Sequence, residues 1–553
     1  MCCHVNRRAG DYAFHSNHIV TGATGSHGTD PDAVVVVHAT GSHDDPDPDT
    51  GVKTPSPTAQ NGWDAVVTKI SDAGVYEGIF AADTHSVDGK YNGSSLNSGW
   101  GGYSWFSDLD SFAASGDNDN MVAMGGFRGK LTFPTAAGAD PVTLENPKWQ
   151  KYDGFLAKFN VNTLKVVWAS GDKIQTPTCN TKTDGTPDSE CDEPTSVAGG
   201  ISTTAEGHIV ATSNYGNSGR YTTNGRILLV NGNTGANVWH KDLGAGNFMY
   251  DVATIGNKAY VVGNINGVGI DPFNTGQTKN YTEAPAIVAV DALAAGSGAF
   301  EWSVTFGMEG TAASIVADPT GTHLYVGGHL EEAPSTGTVD SPVAGKFTIN
   351  SACSLTGKYG GFLMKLVAAT GECLWATDTP QIGYASTRWG SRARGLDVDA
   401  TGTYIYTVKS NDEAMVFDDD HTIPVRGGTD DGFLAKYSCA DGVGQWVESI
   451  GGSGDDTIQE VVTSPDGVLL MGYTKSPSIK LGDAEILNLQ HKRADGAPTS
   501  GAGQRAHFVM MIHGEERLSC LQSCTEDLAT AVVKDGFCLV SGSCLANGAP
   551  ACI

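Results

Sequence analysis

The clearest alternation of hydrophobic and polar positions lies in residues 430–474, DDGFLAKYSCADGVGQWVESIGGSGDDTIQEVVTSPDGVLLMGYT. Four short segments alternate as strands with one buried face do, at 433–437, 445–449, 457–463 and 468–473. Turn-forming residues separate them, at 440–442, 451–456 and 465–467. This stretch therefore predicts one four-stranded antiparallel sheet.

The same order of strands and turns recurs upstream. An apolar strand, a tryptophan strand and a closing hairpin repeat at intervals of about 70 residues, and the tryptophans are Trp168, Trp239, Trp302, Trp375 and Trp446. A sixth, more divergent unit runs from Trp63 to Gly126, with Tyr76 near the place where the tryptophan is expected. We expect these aromatic residues to pack between neighbouring sheets, where each contributes ~2–3 kcal/mol by burial.

Repeated four-stranded sheets cannot bury both faces alone, and stacking them around an axis gives a β-propeller. A solenoid of this period usually carries helices, and helical periodicity is not sustained here. Residues 11–22 and 506–512 look like the last and first strands of one shared closing blade, which would remove two exposed sheet edges. The predicted fold is an all-β propeller of seven blades, with six or eight as alternatives.

The predicted propeller covers residues 1–515, and a small Cys-rich tail covers 516–553. The predicted blade units lie near 63–126, 154–213, 226–264, 286–328, 361–408 and 432–473, besides the closing blade.

Charge limits the partners. The 553 residues include 62 acidic and 34 basic side chains, a formal net charge of −28. Nucleic acid is therefore excluded as a partner, because its binding depends on Lys and Arg neutralising phosphates. No apolar run approaches the ~18–20 residues that span a bilayer. The start, MCCHVNRRAG, lacks the apolar region of a signal peptide, so we expect a mature or incomplete form.

The acidity indicates either the solubility of a secreted protein or the binding of divalent cations. Asp45, Asp47 and Asp49, followed by Gly51, resemble the spacing of calcium loops. The glycine comes one place late and no Glu stands at the twelfth position, so a solvated acidic loop is the alternative. No other cofactor is expected. Further acidic turns are expected at the surface, at Asp117, Asp119, Asp418–Asp420, Asp455 and Asp456.

Cysteines and sequons indicate an extracellular protein. Five of the twelve cysteines crowd the tail, which favours a disulfide-stapled module: Cys520, Cys524, Cys538, Cys544 and Cys552. Zinc is the alternative there, although the spacing of common zinc knuckles is missing. Cys179 with Cys191, and Cys353 with Cys373, are candidate disulfides, but sequence does not fix connectivity. Asn92 and Asn280 begin glycosylation sequons in predicted loops.

The unit GFLAKY…GVGQWVESIGGSGDDTIQEVVTSPDGVLLMGYT resembles the propeller repeat of secreted and surface proteins, whose pattern is a D-A-F-V-A-K-L strand, a Trp strand, GGSGDD and a DxxGN-Y-V-T-G hairpin. The likeness covers roughly residues 60–515. The tail sequence FCLVSGSCLANGAPAC is similar to the Cys-rich ends of propeller proteins on algal, stramenopile-like cell surfaces and flagellar hairs, the mastigonemes. The resemblance implies an extracellular scaffold or adhesion role without catalytic residues, although fold does not decide function.

An enzymatic alternative comes from LLVNGNTGANVW, Leu228 to Trp239, which resembles the Trp-docking motif of quinoprotein dehydrogenases. That motif is structural, and a quinone site would also need a calcium ion, a catalytic Asp and a stacking Trp. The sequence does not identify such a set.

We therefore expect a non-enzymatic structural module of a cell-surface filament or flagellar hair, which contacts itself and other surface proteins. A glycan- or ligand-binding secreted propeller is the alternative, and a quinoprotein-like dehydrogenase is the third hypothesis. Partner contacts are expected on the long inserts, because rigid scaffolds carry function on loops: 82–107, 130–150, 171–195, 329–360 and 475–505.

Overall fold

A computed structural model gives the fold over the strands and over most of the turns that join them. The described residues are 2–6, 18–21, 34–41, 63–70, 76–81, 83–85, 103–112, 120–128, 130–136, 139–145, 153–171, 197–216, 223–270, 279–294, 298–306, 310–330, 339–340, 353, 355, 360–379, 395–411, 415–416, 422–423, 426–427, 431–464, 467–476, 478–481, 484–488, 506–512, 533–534, 537–539, 542–544 and 550–552.

The described secondary structure consists of strands. The first twelve are β1 (Cys2–Asn6), β2 (His18–Thr21), β3 (Val34–Gly41), β4 (Trp63–Ile70), β5 (Tyr76–Ala81), β6 (Asp83–His85), β7 (Tyr103–Ser111), β8 (Asn120–Arg128), β9 (Lys130–Phe133), β10 (Val142–Glu145), β11 (Asp153–Asn160) and β12 (Lys165–Ser170). The next thirteen are β13 (Val197–Thr203), β14 (His208–Gly216), β15 (Thr223–Asn231), β16 (Asn237–Ala245), β17 (Phe248–Ile255), β18 (Lys258–Ile270), β19 (Lys279–Asp291), β20 (Ala299–Phe306), β21 (Gly310–Ala317), β22 (His323–Leu330), β23 (Val339–Asp340), β24 (Gly360–Val367) and β25 (Cys373–Thr379).

The last fifteen are β26 (Leu396–Val398), β27 (Tyr404–Asn411), β28 (Met415–Val416), β29 (Thr422–Ile423), β30 (Asp431–Ser438), β31 (Gly444–Gly451), β32 (Asp456–Ser464), β33 (Gly467–Thr474), β34 (Ser478–Leu481), β35 (Ala484–Asn488), β36 (Ala506–Ile512), β37 (Val533–Lys534), β38 (Phe537–Leu539), β39 (Gly542–Cys544) and β40 (Pro550–Cys552).

The strands form a β-propeller. Five antiparallel blades each contain four strands that follow one another along the chain, apart from short inserted strands: blade I (β7, β8, β11, β12), blade II (β13–β16), blade III (β17–β20), blade IV (β21, β22, β24, β25) and blade V (β26, β27, β30, β31). The innermost strands of successive blades pack against each other from β7 through β13, β17 and β21 to β26.

The hydrophobic core repeats in each gap between blades, since a stacked sheet buries both of its faces. Strand β30 shows this directly. Phe433 and Tyr437 pack toward blade IV, whereas Leu434 packs on the opposite side. Lys436, on the predicted polar face, is 2% exposed and places its ammonium 3.4 Å from the centre of the Tyr404 ring. The hydrophobic and polar positions that alternate in the sequence therefore lie on two buried faces, and not on one buried and one solvent-exposed face.

Two further strand groups lie between blade V and blade I. One is the closing sheet, β32–β33–β36, which is continued by β1, β38 and β37. The other is β2–β3–β4–β5, which joins the blade I sheet through a single parallel contact of β4 with β7. Strand β2 packs against β32 on one side and β7 on the other. The prediction of seven four-stranded blades is wrong, because the described residues form five blades of four successive strands besides these two groups.

The closing strand is also different from the predicted one. Residues 506–512 (β36) pair with β33 and with β1, where Cys3 is opposite Met510, so within the described residues they share no sheet with His18–Thr21. His18–Thr21 pairs with β3 instead. Hydrophobic alternation alone does not distinguish an inner strand from an outer one, which is why the sequence suggested the wrong partner.

The Cys-rich tail is not confirmed as a separate module. Strand β38 pairs with β1, with Cys538 opposite Cys3, and β37 pairs with β38, so part of the tail extends the closing sheet. Strands β39 and β40 form a hairpin of their own. The described residues form no helix that is long and apolar enough to cross a membrane.

Candidate functional site

Four tryptophans clamp each blade to the next. The indole Nε1 of each donates a hydrogen bond to a backbone carbonyl in the outer turn of the following blade: Trp168 to Gly232 (2.9 Å), Trp239 to Ala292 (2.8 Å), Trp302 to Ala368 (3.0 Å) and Trp375 to Cys439 (3.3 Å). These side chains thus hold the ring together, in the way their spacing suggested.

A glycine in each receiving turn makes room for the indole. Gly235, Gly298, Gly371 and Gly442 have φ between +61° and +74°, and a Cβ on each would lie 2.6–2.7 Å from the facing tryptophan. Both the left-handed backbone and the close approach require glycine there.

The corresponding turn of blade I carries Leu164, with φ +50°. In blade I, Trp168 is opposite Lys158. The equivalent lysine of the preceding strand group, β2–β5, is Lys69, and the residue opposite it is Gly78. The register therefore puts the position of the missing tryptophan at Gly78, in the same strand as Tyr76 and close to it, as the sequence suggested.

Carboxylates on three innermost strands join adjacent blades in a second way. Asp108 accepts from the backbone N–H of Ile201, Asp251 from that of Ile315 and Asp397 from that of Thr463. A bulge precedes Asp108 and Asp251 in their strands. Burial raises the pKa of Asp397 to about 6, and its hydrogen bonds to Thr463 and Val398 oppose that rise. These carboxylates bond to the protein's own backbone.

Two more carboxylates lie buried between blade V and the closing sheet. Asp431 is fully buried; its Oδ2 accepts from the backbone N–H groups of Arg426 and Gly427, and its Oδ1 has no partner. Burial raises the pKa of Asp431 to about 6, and the nearby Asp456 contributes. Asp456 is 1% exposed, and burial also raises its pKa. The expectation that Asp456 lies in a surface turn is therefore wrong.

A groove of about 750 Å³ lies between the turns of blades III and IV and is hereafter called the III/IV groove. Tyr260 lies at this groove and packs against Trp302, with ring centroids 5.9 Å apart. The same tyrosine–tryptophan pair recurs one blade later as Tyr325 and Trp375, 6.1 Å apart.

The III/IV boundary has smaller residues than the IV/V boundary at two equivalent positions, and one of them, Ala368, lines the groove. At the IV/V boundary, the ammonium of Lys365 lies 5.3 Å from the centre of the Tyr325 ring and donates to the carbonyl of Cys439. At the III/IV boundary, Ala289 stands at the register position of Lys365, opposite the tryptophan, and Ala368 stands at that of Cys439. The space that a lysine and a thiol help to fill in one boundary is left open in the other.

Several polar groups of the groove lack a protein partner. The Tyr260 hydroxyl makes no hydrogen bond to a described residue, and burial raises its pKa to about 12, with Glu301 contributing. Asn257 donates to Glu206 at 2.8 Å, but its own Oδ1 is buried without a donor. Asp291 accepts two backbone N–H groups of the turn through Oδ1. The groove therefore offers one donor that stays protonated at neutral pH and unused acceptor atoms.

Lys409 stands out near the opposite ends of the strands. It pairs with Phe433 at a register position where three other blades or sheets place a glycine opposite phenylalanine: Gly125, Gly328 and Gly472. Its Nζ donates to Thr379 Oγ1 at 2.9 Å, its one partner among the described residues. A Cβ on Gly361 would overlap this Nζ. Burial lowers the pKa of Lys409 to about 7.

The predicted cysteines and glycosylation sequons have different outcomes. Cys353 and Cys373 form a disulfide, as proposed for that pair, and Cys439 is a buried free thiol. Asn280 lies in strand β19 and not in a loop. Outside the described residues lie Asp45, Asp47, Asp49, Asn92, Cys179, Cys191, Cys520 and Cys524.

Trp446 lies beside Tyr406, with centroids 6.2 Å apart, and continues the tyrosine–tryptophan series. The backbones of Cys538, Cys544 and Cys552 lie in β38, β39 and β40. Within the part of the chain that the structure describes, no three His, Cys, Asp or Glu side chains gather as metal ligands. The groove could not have been predicted from the sequence, because Ala289 becomes informative only when its register is compared with that of Lys365.

No protein-family model and no curated protein matches the chain. Among solved structures, the β-propeller domain of the Trilobed protease from Pyrococcus furiosus is 8% identical with a TM-score of 0.37, over 86% of this chain and 96% of that one. Hydrazine synthase from Kuenenia stuttgartiensis is 10% identical with a TM-score of 0.35, over 78% and 97%. Quinohemoprotein alcohol dehydrogenase from Comamonas testosteroni is 12% identical with a TM-score of 0.34, over 82% and 73%. No residue role is taken from likenesses this loose.

Proposed function

We propose that this chain is a non-enzymatic propeller scaffold that serves as a building block or adhesive module of an extracellular filament, such as a flagellar hair of the mastigoneme type. The repeated clamp carries the proposal: Trp168, Trp239, Trp302 and Trp375 each bond to the next blade. A ring fixed at successive boundaries by indoles and inner-strand carboxylates keeps its shape while its loops contact partners.

The tryptophan clamp also explains the segment that suggested a quinoprotein. The segment that resembles the Trp-docking motif ends at Trp239, whose indole donates to Ala292 of the next blade. Asp251 and Asp397, on innermost strands, accept backbone N–H groups of the neighbouring strand. Trp239, Asp251 and Asp397 therefore have structural roles in the ring, which is the role that a scaffold needs from them.

An extracellular location is part of the proposal. The Cys353–Cys373 disulfide lies in the core between blades III and IV, where both residues are at most 3% exposed. Disulfides persist in oxidising compartments, which favours secretion or cell-surface display. Self-association and contact with other surface proteins through the inter-blade inserts follow from the same proposal.

Electron microscopy of native material tests the proposal. We expect ordered filaments in which the propeller repeats at a fixed interval, and mass spectrometry of the same material should find this chain with its disulfide intact. Single discs at every protein concentration would overturn the assembly proposal. A quinone detected in the native protein by absorption spectroscopy and mass spectrometry would favour the dehydrogenase alternative instead.

A further inference from the structure

We propose that the III/IV groove is a binding site for a short saccharide, which the Tyr260 hydroxyl and the Asn257 carboxamide oxygen would hold by hydrogen bonds. This site is independent of the scaffold proposal, since a monomeric propeller and a filament subunit would both present it. Three features of the groove point to such a ligand: its departure from the repeated packing, its unused polar atoms and its charge.

The groove is a local departure from a repeated packing arrangement. Where blades IV and V meet, Tyr325 is covered by Lys365 and shares a hydrogen bond with Cys439. Where blades III and IV meet, the equivalent of Lys365 is Ala289, and the Tyr260 hydroxyl has no hydrogen-bond partner among the described residues. An opening that the chain fills one blade later is better explained by a ligand than by a general failure of the repeat to pack.

The unused groups match the chemistry of sugar hydroxyls. Tyr260 is 2% exposed, so its hydroxyl is a well-positioned donor, and Asn257 Oδ1 is a buried acceptor that lacks a donor. A buried polar atom without a partner costs about 1–3 kcal/mol, and a hydroxyl can both donate and accept. Ile255, Leu293 and Val367 add apolar wall, against which the C–H face of a sugar ring packs.

Charge argues against an anionic ligand. Glu206 and Asp291 line the groove, and the one lysine that lines it, Lys258, is paired with Glu301 at 2.7 Å. A phosphate or sulfate would meet unopposed carboxylates, whereas a neutral saccharide would not. The volume of about 750 Å³ is within the range of about 300–1,000 Å³ that ligand pockets occupy.

The neighbouring boundary supplies the variant that closes the site. Ala289→Lys should place an ammonium over the Tyr260 ring as Lys365 does over Tyr325, and so occupy the groove with a side chain that the fold already accommodates. Tyr260→Phe removes only the hydroxyl and keeps the ring against Trp302. Tyr325→Phe is the matched control, because its ring is covered by Lys365 and lies outside the groove.

Saturation-transfer NMR and calorimetry with the full chain test the site, with cellobiose, chitobiose, mannobiose and maltose as probes and with sulfate and 1,5-diaminopentane as charged comparisons. We expect at least one disaccharide to bind. Ala289→Lys should weaken that binding at least tenfold, Tyr260→Phe should weaken it about two- to tenfold, as loss of one hydrogen bond does, and Tyr325→Phe should leave it unchanged.

The proposal is overturned if no disaccharide binds the wild-type chain, or if Ala289→Lys folds and binds as the wild type does. Binding of diaminopentane alone, lost in Ala289→Lys, would assign the groove to a cation and also refute a saccharide site. If Ala289→Lys does not fold, Tyr260→Phe against Tyr325→Phe decides the question. Filament formation is measured separately by electron microscopy, so the scaffold proposal and the saccharide proposal can fail independently of each other.

Discussion

Replacing Gly371 by alanine tests the clamp at one atom. Gly371 has φ +71°, and a Cβ there would lie 2.7 Å from Cε3 of Trp302, whose Nε1 donates to Ala368 in the same turn. The left-handed backbone costs a non-glycine residue about 1–2 kcal/mol. Overpacking against the indole adds about 1–3 kcal/mol, and a weakened hydrogen bond about 1 kcal/mol. We expect a total loss of unfolding free energy of about 3–6 kcal/mol.

Gly256→Ala is the matched control, because Gly256 has φ +61° and a Cβ there would meet nothing within 4 Å. It should cost only the backbone term, about 1–2 kcal/mol. Urea unfolding, followed by far-ultraviolet circular dichroism, gives both values from the midpoint and slope. In a Trp302→Ala background, the cost of Gly371→Ala should fall to that of Gly256→Ala. Equal costs for the two glycines in the wild-type background would refute the clamp.

Three further predictions concern the buried titratable and bonded groups. Because burial raises the pKa of Asp431 to about 6 from near 3.8, the folded state holds more protons between those values; its contribution to stability should therefore fall as pH rises from 4 to 6. Asp431→Asn should flatten that dependence of the urea midpoint, and an unchanged slope would contradict the assignment. Replacing Cys353 and Cys373 together by alanine should cost about 2–4 kcal/mol, measured by urea unfolding under non-reducing conditions, unless the bond is absent in the native protein. After reductive ¹³C-methylation, the signal of Lys409, assigned by its loss in Lys409→Met, should titrate near pH 7; a midpoint near 10.5 would show that its amine is solvated.

The strands, and the packing of the tryptophans between blades, could be predicted because both recur along the chain at a nearly fixed interval. A tryptophan and a turn-forming glycine recur in successive units, and the contact of Trp375 with Gly442 in the next blade shows why both are needed. The pairing of Cys353 with Cys373 was also accessible, since the two cysteines flank one loop and strand. Such features depend on neighbours in the chain or on one repeated contact.

The ring closure depends on distant pairing. Residues 506–512 have alternating apolar positions that fit several partners equally well, and the strand beside them is Cys2–Asn6 rather than His18–Thr21. Choosing between these edges requires the order of strands in the sheet. The groove is hidden for a related reason, because the meaning of Ala289 depends on the turn of a different blade.

The repeats within the chain provide a comparison that its single sequence otherwise lacks. Where equivalent positions agree, as at the glycines facing the indoles, packing explains the residue. Where one copy has a different residue, the energetic cost or the space that this residue creates needs a separate explanation. At Leu164 packing is again sufficient, since its side chain is half-buried against the hydrophobic core of blade I. At Ala289 no lysine covers the neighbouring tyrosine, and the Tyr260 hydroxyl, which lies at the groove, makes no hydrogen bond to a described residue. That contrast is why we look for a ligand at the boundary of blades III and IV and not at the turn of blade I.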